Sequence, residues 1–288
     1  MMNGQTNIDS SIAILINPRS GKGRAVKTGQ WLTGQLSQRN IKHRLFTDEW
    51  PLNFNWFTEA WIVGGDGTIN YFLNGYKNIP VPIAIFKGGT GNDFAWKLYG
   101  NISLRDQLEL VLTATAKRVD TASCNGRQYV NSLGIGFDGE VLKSMGAIRW
   151  MGGHLGYLWV VLRKIFSFKE SFFSIACGDK KITGKFLLVI INNSSRTGGG
   201  FMVAPGAKVD DGKLDMVLCK PLSVFKRLRY LPVIEKGRHL ELPFIDYSCP
   251  VEVRIEAQQE LYAQLDGEMI KAKIFDIKIF PGNLLVKY

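Results

Sequence analysis

The sequence predicts an α/β N-terminal domain built on an open parallel sheet, followed by a β-rich, antiparallel, sandwich-like second domain. Three observations carry this. Between Ser11 and about Asp120, apolar runs (Ile12 to Ile16, Trp61 to Val63, Val81 to Phe86) alternate with stretches of helical composition, the pattern of strands buried on both faces in a βα-type sheet. Beyond Asp120 the texture turns to short strands punctuated by turn pairs such as Asp211-Gly212 and Pro281-Gly282, which suits an antiparallel arrangement. Glycine-rich turns also follow the early strands directly. The expected division is residues 1–121 for the first domain and 122–280 for the second, with the segment 281–288 returning to the first.

In chain order, the run Ile12 to Ile16 opens the sheet and a helix is expected from Gly23 to Arg39. A short aromatic stretch with Trp50, Phe54, Trp56 and Phe57 precedes the strand ending at Val63. A helix is expected over Ser103 to Lys117, with Ser103 as N-cap and Asp106 in its first turn. The second half reads as strands over Gln128 to Ser132, Ser171 to Cys177, Lys185 to Ile191, Lys213 to Cys219, Val251 to Ala257 and Ile274 to Phe280. Neither an internal repeat nor a low-complexity segment is visible.

Composition narrows the function classes. With 288 residues and 45% apolar content the chain can bury two ordinary cores. Its net charge of +11 suits an anionic partner: a nucleotide, a nucleic acid or an acidic membrane surface. Cys124, Cys177, Cys219 and Cys249 lie far apart with no paired spacing, which argues for reduced thiols and against structural zinc. The N-terminal stretch lacks the apolar core of a signal peptide, and no segment approaches the roughly 20 apolar residues of a membrane span. A cytoplasmic protein that meets membranes only peripherally is the expectation.

The turn Gly64-Gly65-Asp66-Gly67-Thr68, between Ala60 to Val63 and Ile69 to Leu73, says most about chemistry. Glycines there let the backbone approach a polyanion, and a following helix aims its amides at it. A carboxylate at Asp66 would repel phosphate unless a divalent cation lies between them. The economical ligand is therefore a nucleoside triphosphate with Mg²⁺, Asp66 reaching the metal directly or through water and Thr68 offering a hydroxyl. Two more such loops follow strands: Asn17 to Gly23, with Ser20 and Gly21 suited to phosphate but no Walker A pattern, and Lys87 to Phe94, containing Gly89, Thr90 and Asp93. Loops at the carboxyl ends of neighbouring strands share a crevice, so Asp66 and Asp93 are expected to bracket one metal-bound triphosphate. The turn Leu265-Asp266-Gly267-Glu268 by itself reads as an ordinary hairpin turn.

Taken together, NPRSG at Asn17 to Gly21, GGDGTIN at Gly64 to Asn70, GGTGNDFA at Gly88 to Ala95, PGAKVDDGKLD at Pro205 to Asp215 and DGE at Asp266 to Glu268 resemble the diacylglycerol kinase catalytic-domain superfamily of bacterial lipid kinases and sphingosine kinases. The likeness runs from about residue 11 to the C-terminus. It implies an NAD-kinase/phosphofructokinase-like first domain and an ATP-dependent transfer of the γ-phosphate to a lipid hydroxyl in the interdomain cleft. It further implies that Asn17, Thr47, Gly64, Gly65, Asp66, Gly67, Thr68, Ile69, Asn70 and Thr90 contact ATP. Asp66 and Asp93 would orient Mg²⁺, and Asp266 would be the general base. In some bacterial members a second, structural Mg²⁺ lies by the DDGxLD loop, which here would involve Asp211 and the carbonyls of Lys208 and Lys213; the same residues also read as a solvated Asp-Gly hairpin.

The chain departs from the family pattern at Lys87, where proline is common, and at Trp96, where a basic residue often follows. Gly134 to Gly139 spells GxGxxG, but no acidic residue follows at the distance a dinucleotide site needs. Ala147 to Lys169 interleaves Arg149, Arg163, Lys164 and Lys169 with Trp150, Met151, Tyr157, Trp159 and Phe166. It reads either as a lip on an anionic membrane or as a core helix with snorkelling cations. The helical spacing of Leu155, Leu158, Trp159 and Leu162 favours the core reading. Partners expected are ATP, a lipid substrate and an anionic membrane surface, with no nucleic acid; homodimer pairing through exposed strands is a further expectation. The competing readings are an NAD kinase, which lacks a downstream Asn-Glu motif here, and a weak nucleotide or nucleic-acid binding module, which no named motif supports.

Overall fold

The computed structural model describes residues 11–146 and 153–288, with the side chains of residues 146–157 outside that description. The chain divides into two compact units, one reaching to Arg118 and including Leu284–Tyr288, the other Val119–Asn283.

The first unit is a parallel α/β sheet. β1 (Ile12–Ile16) is followed by a short 3-10 turn over Ser20–Gly23, α1 (Arg24–Gln38), β2 (His43–Phe46), β3 (Glu59–Gly64), α2 (Asp66–Gly75), β4 (Ile83–Lys87), α3 (Asp93–Tyr99) and α4 (Leu104–Thr113). The strands lie in the order β2-β1-β3-β4, all parallel, and Val286 near the C-terminus pairs in parallel with Ile83. Helices cover both faces, so β1 is apolar at every position and wholly buried. α1 buries Ala25, Gly29, Leu32 and Leu36 at helical spacing, and a Cβ on Gly29 would collide with the Ile16 side chain. The chain leaves β1 toward β2 on one side and β3 toward β4 on the other. The β1/β3 boundary is thus the topological switch point, where the carboxyl ends of the strands open a crevice.

α4 has the expected cap: Ser103 Oγ accepts from the Asp106 amide at 3.1 Å. It ends at Thr113 rather than Lys117, because Ala114 turns extended and residues 116–124 are drawn into a strand. Only long-range pairing explains that stop; no Gly or Pro marks it.

The second unit is antiparallel. β5 (Ala116–Cys124) leads into it, followed by β6 (Arg127–Tyr129), β7 (Ser132–Gly136), α5 (Phe137–Gly146), α6 (Gly153–Ser167), β8 (Ser171–Cys177), β9 (Lys180–Phe186), β10 (Leu188–Asn192), β11 (Asp215–Cys219), α7 (Val224–Glu235), β12 (Ile245–Ser248), β13 (Glu252–Leu265) and β14 (Glu268–Lys287). The order is β12-β11-β10-β7-β13-β14, with the β8–β9 hairpin added to the first half of β13. A register shift between Glu256 and Leu261 lets β13 serve β8 with one half and β7 with the other.

Several expected strands are corrected. The 185–191 strand is broken at Leu187 into β9 and β10, and 128–132 is broken between Tyr129 and Ser132. The strand expected over 251–257 is the opening part of the longer β13, and that expected over 274–280 is the middle of the far longer β14.

Two apolar cores result. One, including Leu133, Ile135, Phe173, Ile191 and Phe275, is enclosed by strands. The other lies under α5, α6 and α7 and includes Phe137, Val160, Val161, Ile165 and Ile190. The stripe expected to bury α6 is displaced. Leu158 packs on the core with Val161 and Ile165, whereas Trp159 is 45% exposed and Leu162 36%; Leu155 lies outside the described side chains. Among the described residues no helix is long and apolar enough to cross a membrane.

Candidate active site

The first unit brings its three glycine-rich loops into mutual contact at the switch point. Asn17, just past β1, donates from Nδ2 to Thr68 Oγ1 in the first turn of α2 (3.0 Å). Gly21 has φ of 60°, and a Cβ on it would overlap the Gly88 carbonyl oxygen after β4. A Cβ on Gly89 would likewise overlap the Cα of Gly65. The loops approach at backbone distance, which only glycine permits. The Asn92 side chain closes the third loop, accepting from the Gly89 amide (2.8 Å) and donating to its carbonyl (3.0 Å).

The two loop aspartates meet in this cluster. Asp66 accepts from the backbone amides of Asp93 (3.2 Å) and Phe94 (3.1 Å). Burial first, and the neighbouring Asp93 carboxylate second, push its carboxyl up from 3.8 to about 6, against the pull of those amides. Asp93 is itself buried. A pair of adjacent hard-oxygen carboxylates, one held against its own preference for ionisation, is a donor set that Mg²⁺ fits, since a divalent cation removes the repulsion. Among the described residues no cluster of three or more His, Cys, Asp or Glu side chains forms a ready-made metal cage.

Other expected nucleotide contacts are placed as follows. Ser20 begins the 3-10 turn, and a Cβ on Gly65 would come within 3.6 Å of its Oγ. Ile69 and Asn70 have their side chains sealed within α2. Thr47 follows β2, which lies beside β1 on the side away from β3. Lys87 points its amine at the Gly100 carbonyl (2.6 Å).

In the second unit, Asp266 and Gly267 form a two-residue turn between β13 and β14, with φ of 49° and 85°, so the hairpin read from sequence is present. The carboxylate, however, does not face solvent. Asp266 is 2% exposed and accepts from the amides of Val130 (2.8 Å), Asn131 (3.0 Å) and Ser132 (2.9 Å). Asp211 is exposed and accepts from the Lys213 amide (3.1 Å), a local turn that keeps it beside the Lys208 to Lys213 loop.

The diacylglycerol kinase catalytic domain model matches residues 11–124, and the YegS C-terminal NAD kinase beta sandwich-like domain model matches residues 131–287. The chain belongs to the diacylglycerol kinase/YegS-like lipid kinase superfamily. It is 29% identical to the protein named "Probable lipid kinase YegS-like" of Shewanella frigidimarina (strain NCIMB 400), over 76% of this chain and 73% of that one. It is 26% identical to the diacylglycerol kinase of Mycobacterium tuberculosis (strain CDC 1551 / Oshkosh), over 96% of this chain and 94% of that one. A solved diacylglycerol kinase structure from Bacillus anthracis str. Sterne shares its fold with a TM-score of 0.71 at 20% identity, covering 97% of each chain.

This superfamily member therefore carries a phosphotransferase fold of the lipid-kinase type. It also contains polar residues that motif reading passed over. Asp120, buried on β5, accepts from the amides of Gly212 (2.7 Å) and Gly282 (2.7 Å), tying together the two Asp-Gly and Pro-Gly turns. Asp138, in the first turn of α5, lies inside the rejected GxGxxG stretch, which proves to be a strand-to-helix junction. The glycines there serve packing: a Cβ on Gly139 would overlap the Tyr262 carbonyl of β13.

Proposed function

We propose that the chain is an ATP-dependent lipid kinase that transfers the γ-phosphate of Mg-ATP to a lipid hydroxyl, of a diacylglycerol-like or sphingoid acceptor. The observation that carries this is the convergence of three glycine-rich loops on the switch point, with Asp66 tied to the main chain of Asp93 and Phe94. In this reading the amides at the start of α2 and of the loops around Gly21 and Gly89 bind phosphate oxygens, and the Asn17–Thr68 pair fixes the first and second loops in register. Asp66 and Asp93 hold the metal. When bound, Mg²⁺ neutralises charge developing on the phosphate oxygens.

Asp266 accepts the proton of the lipid hydroxyl. Three amides anchor the carboxylate that receives it. A structural Mg²⁺ at Asp211 and the carbonyls of Lys208 and Lys213 is part of the same reading, as is the nucleotide contact of Thr47.

Contact with an anionic membrane is assigned to α6 and α7. Trp159, Leu162 and Phe166 (64% exposed) form an outward stripe on α6 with Arg163 beside the Trp159 ring, and Phe225 on α7 is 85% exposed. Aromatic rings at the interface with cations toward head groups suit a peripheral, lipid-facing surface.

The deciding test is transfer of labelled γ-phosphate from Mg-ATP into a panel of mixed-micelle lipids. Label in a lipid supports the reading; label in NAD and in no lipid overturns it.

A further inference from the structure

The sheet face that α5 covers carries a polar cluster that is satisfied at every point but two. Gln264 Nε2 donates to Ser132 Oγ (2.9 Å), Ser132 Oγ shares a hydrogen bond with Thr197 Oγ1 (2.8 Å), and Gln264 Oε1 accepts from the Gly267 amide (3.1 Å). The two exceptions are both acceptors. Asp138 makes no hydrogen bond or ion pair with any described residue, although neighbouring Glu140 is paired to Lys164 (2.7 Å). Asn192 on β10, fully buried, donates from Nδ2 to the Ser194 carbonyl (2.9 Å) and leaves Oδ1 with no donor.

The placement is specific. Gly134 lies two residues along β7 from Ser132, and the Asp138 carboxyl sits directly over it: any Cβ on Gly134 would overlap the Asp138 side chain. In the antiparallel register Gly134 faces Gln264 on one side and Ile190 on the other, while Asn192 faces Ser132. Because alternate residues share a face, Ser132, Gly134, Gln264 and Asn192 all point toward α5. Asp138 is recessed yet keeps partial exposure, so a ligand can reach it. Burial pushes its carboxyl up to about 6, and among the described residues no cation or donor offsets the cost. A carboxylate kept in that condition costs the fold stability at neutral pH. Its distance from Asp266 is short: Ser132, whose amide binds the Asp266 carboxylate, and Gly134 are separated by about 7 Å of strand.

Resting on the lipid-kinase reading, we propose that Asp138, with Asn192 beside it, selects the acceptor head group by binding a second hydrogen-bond donor on it, a hydroxyl or an ammonium adjacent to the hydroxyl that is phosphorylated. Two acceptors without donors among the described residues call for a ligand that brings donors. A small polyol or amino-alcohol head, hydrogen-bonded at each end, spans the interval between Asp138 and Asp266.

The test compares 1-acylglycerol with 1-acyl-1,3-propanediol, which lacks only the 2-hydroxyl, with a sphingoid base as the ammonium arm. Both kcat/KM and equilibrium binding in mixed micelles are read for wild type, Asp138→Ala and Asp138→Asn, alongside Tm. Wild type should favour 1-acylglycerol by about tenfold or more, the scale of one hydrogen bond to a charged group. In Asp138→Ala that ratio should fall to about one, with Tm unchanged or raised. A larger loss of sphingoid base than of 1-acylglycerol in Asp138→Asn would assign the site to ammonium; the reverse would assign it to hydroxyl. Equal binding of the two glycerol-type acceptors by wild type overturns the proposal, as does a fall in Tm in Asp138→Ala with both acceptors weakened alike. If no lipid is phosphorylated at all, the kinase reading fails, and the binding ratio still decides the role of Asp138.

Discussion

The backbone amide of Asp93 donates to the Asp66 carboxylate at 3.2 Å, and the next amide, of Phe94, reaches its other oxygen at 3.1 Å. The loop after β4 is thereby clamped to the turn after β3. Two carboxylates that repel each other are held side by side by main chain, so their repulsion is available to be relieved by a cation.

Magnesium should therefore act in a pH-dependent way. Asp66 titrates at about 6 in the folded chain against 3.8 unfolded, and burial moves Asp138 in the same direction. The stability that goes with these raised values is fully present below pH 3.8 and is lost as pH rises through about 6. Mg²⁺ binds the ionised form, so the Tm gained on adding MgCl₂ should be small at pH 5 and full above pH 7. An equal gain at both pH values would remove Asp66 from the metal site.

Asn17→Ala deletes a side-chain hydrogen bond between the first and second loops. A stability loss of about 1 kcal/mol is expected, together with weaker binding of a fluorescent ATP analogue. Unchanged nucleotide affinity would mean that loop register does not matter to the site.

Gly21 and Gly23 offer a matched pair. Both have positive φ, but a Cβ at Gly21 overlaps the Gly88 carbonyl whereas one at Gly23 meets nothing within 4 Å. Gly23→Ala should cost about 1–2 kcal/mol for its backbone conformation alone. Gly21→Ala should cost more and also abolish nucleotide binding, as read by calorimetric titration.

Asp266→Asn is not a clean base deletion. Its new amide would set N–H groups against at least one of the three donors from Val130, Asn131 and Ser132, a cost of about 1–3 kcal/mol. We expect Tm to fall while ATP binding persists, and phosphate transfer to be lost. Transfer that survives at wild-type rate in the folded fraction would leave Asp266 as a purely structural anchor.

Trp159→Ser with Phe166→Ser should reduce binding to vesicles containing phosphatidylglycerol severalfold with no loss of Tm, since both side chains are largely exposed. Co-sedimentation across a salt series checks this; unchanged binding returns α6 to a merely exposed helix.

Much of the architecture was legible along the chain. The continuous apolar runs of β1, β3 and β4 announce strands buried on both faces, and the glycines after them announce close backbone approach, because both are local demands on side-chain polarity and φ. The same locality explains the cap at Ser103 and the turn at Asp266. Less was legible where pairing or packing intervened. The end of α4 at Thr113 is set by recruitment of residues 116–124 into β5. The outward face of α6 is set by which residues its neighbours cover, so Trp159 lies outside although its spacing matched a core stripe.

By itself, then, the sequence determined an α/β unit with three glycine-rich loops after its strands and an antiparallel second half, because strand burial, helix caps and glycine turns depend on residues close together in the chain. Only the tertiary structure decided that Asp66 is clamped by the Asp93 amide, that the Asp266 carboxylate turns inward onto three amides, and that Asp138 stands over Gly134 without a partner among the described residues. Those outcomes depend on strand order and register, which bring together groups as far apart as residues 130 and 266 and thereby set what each carboxylate can bind.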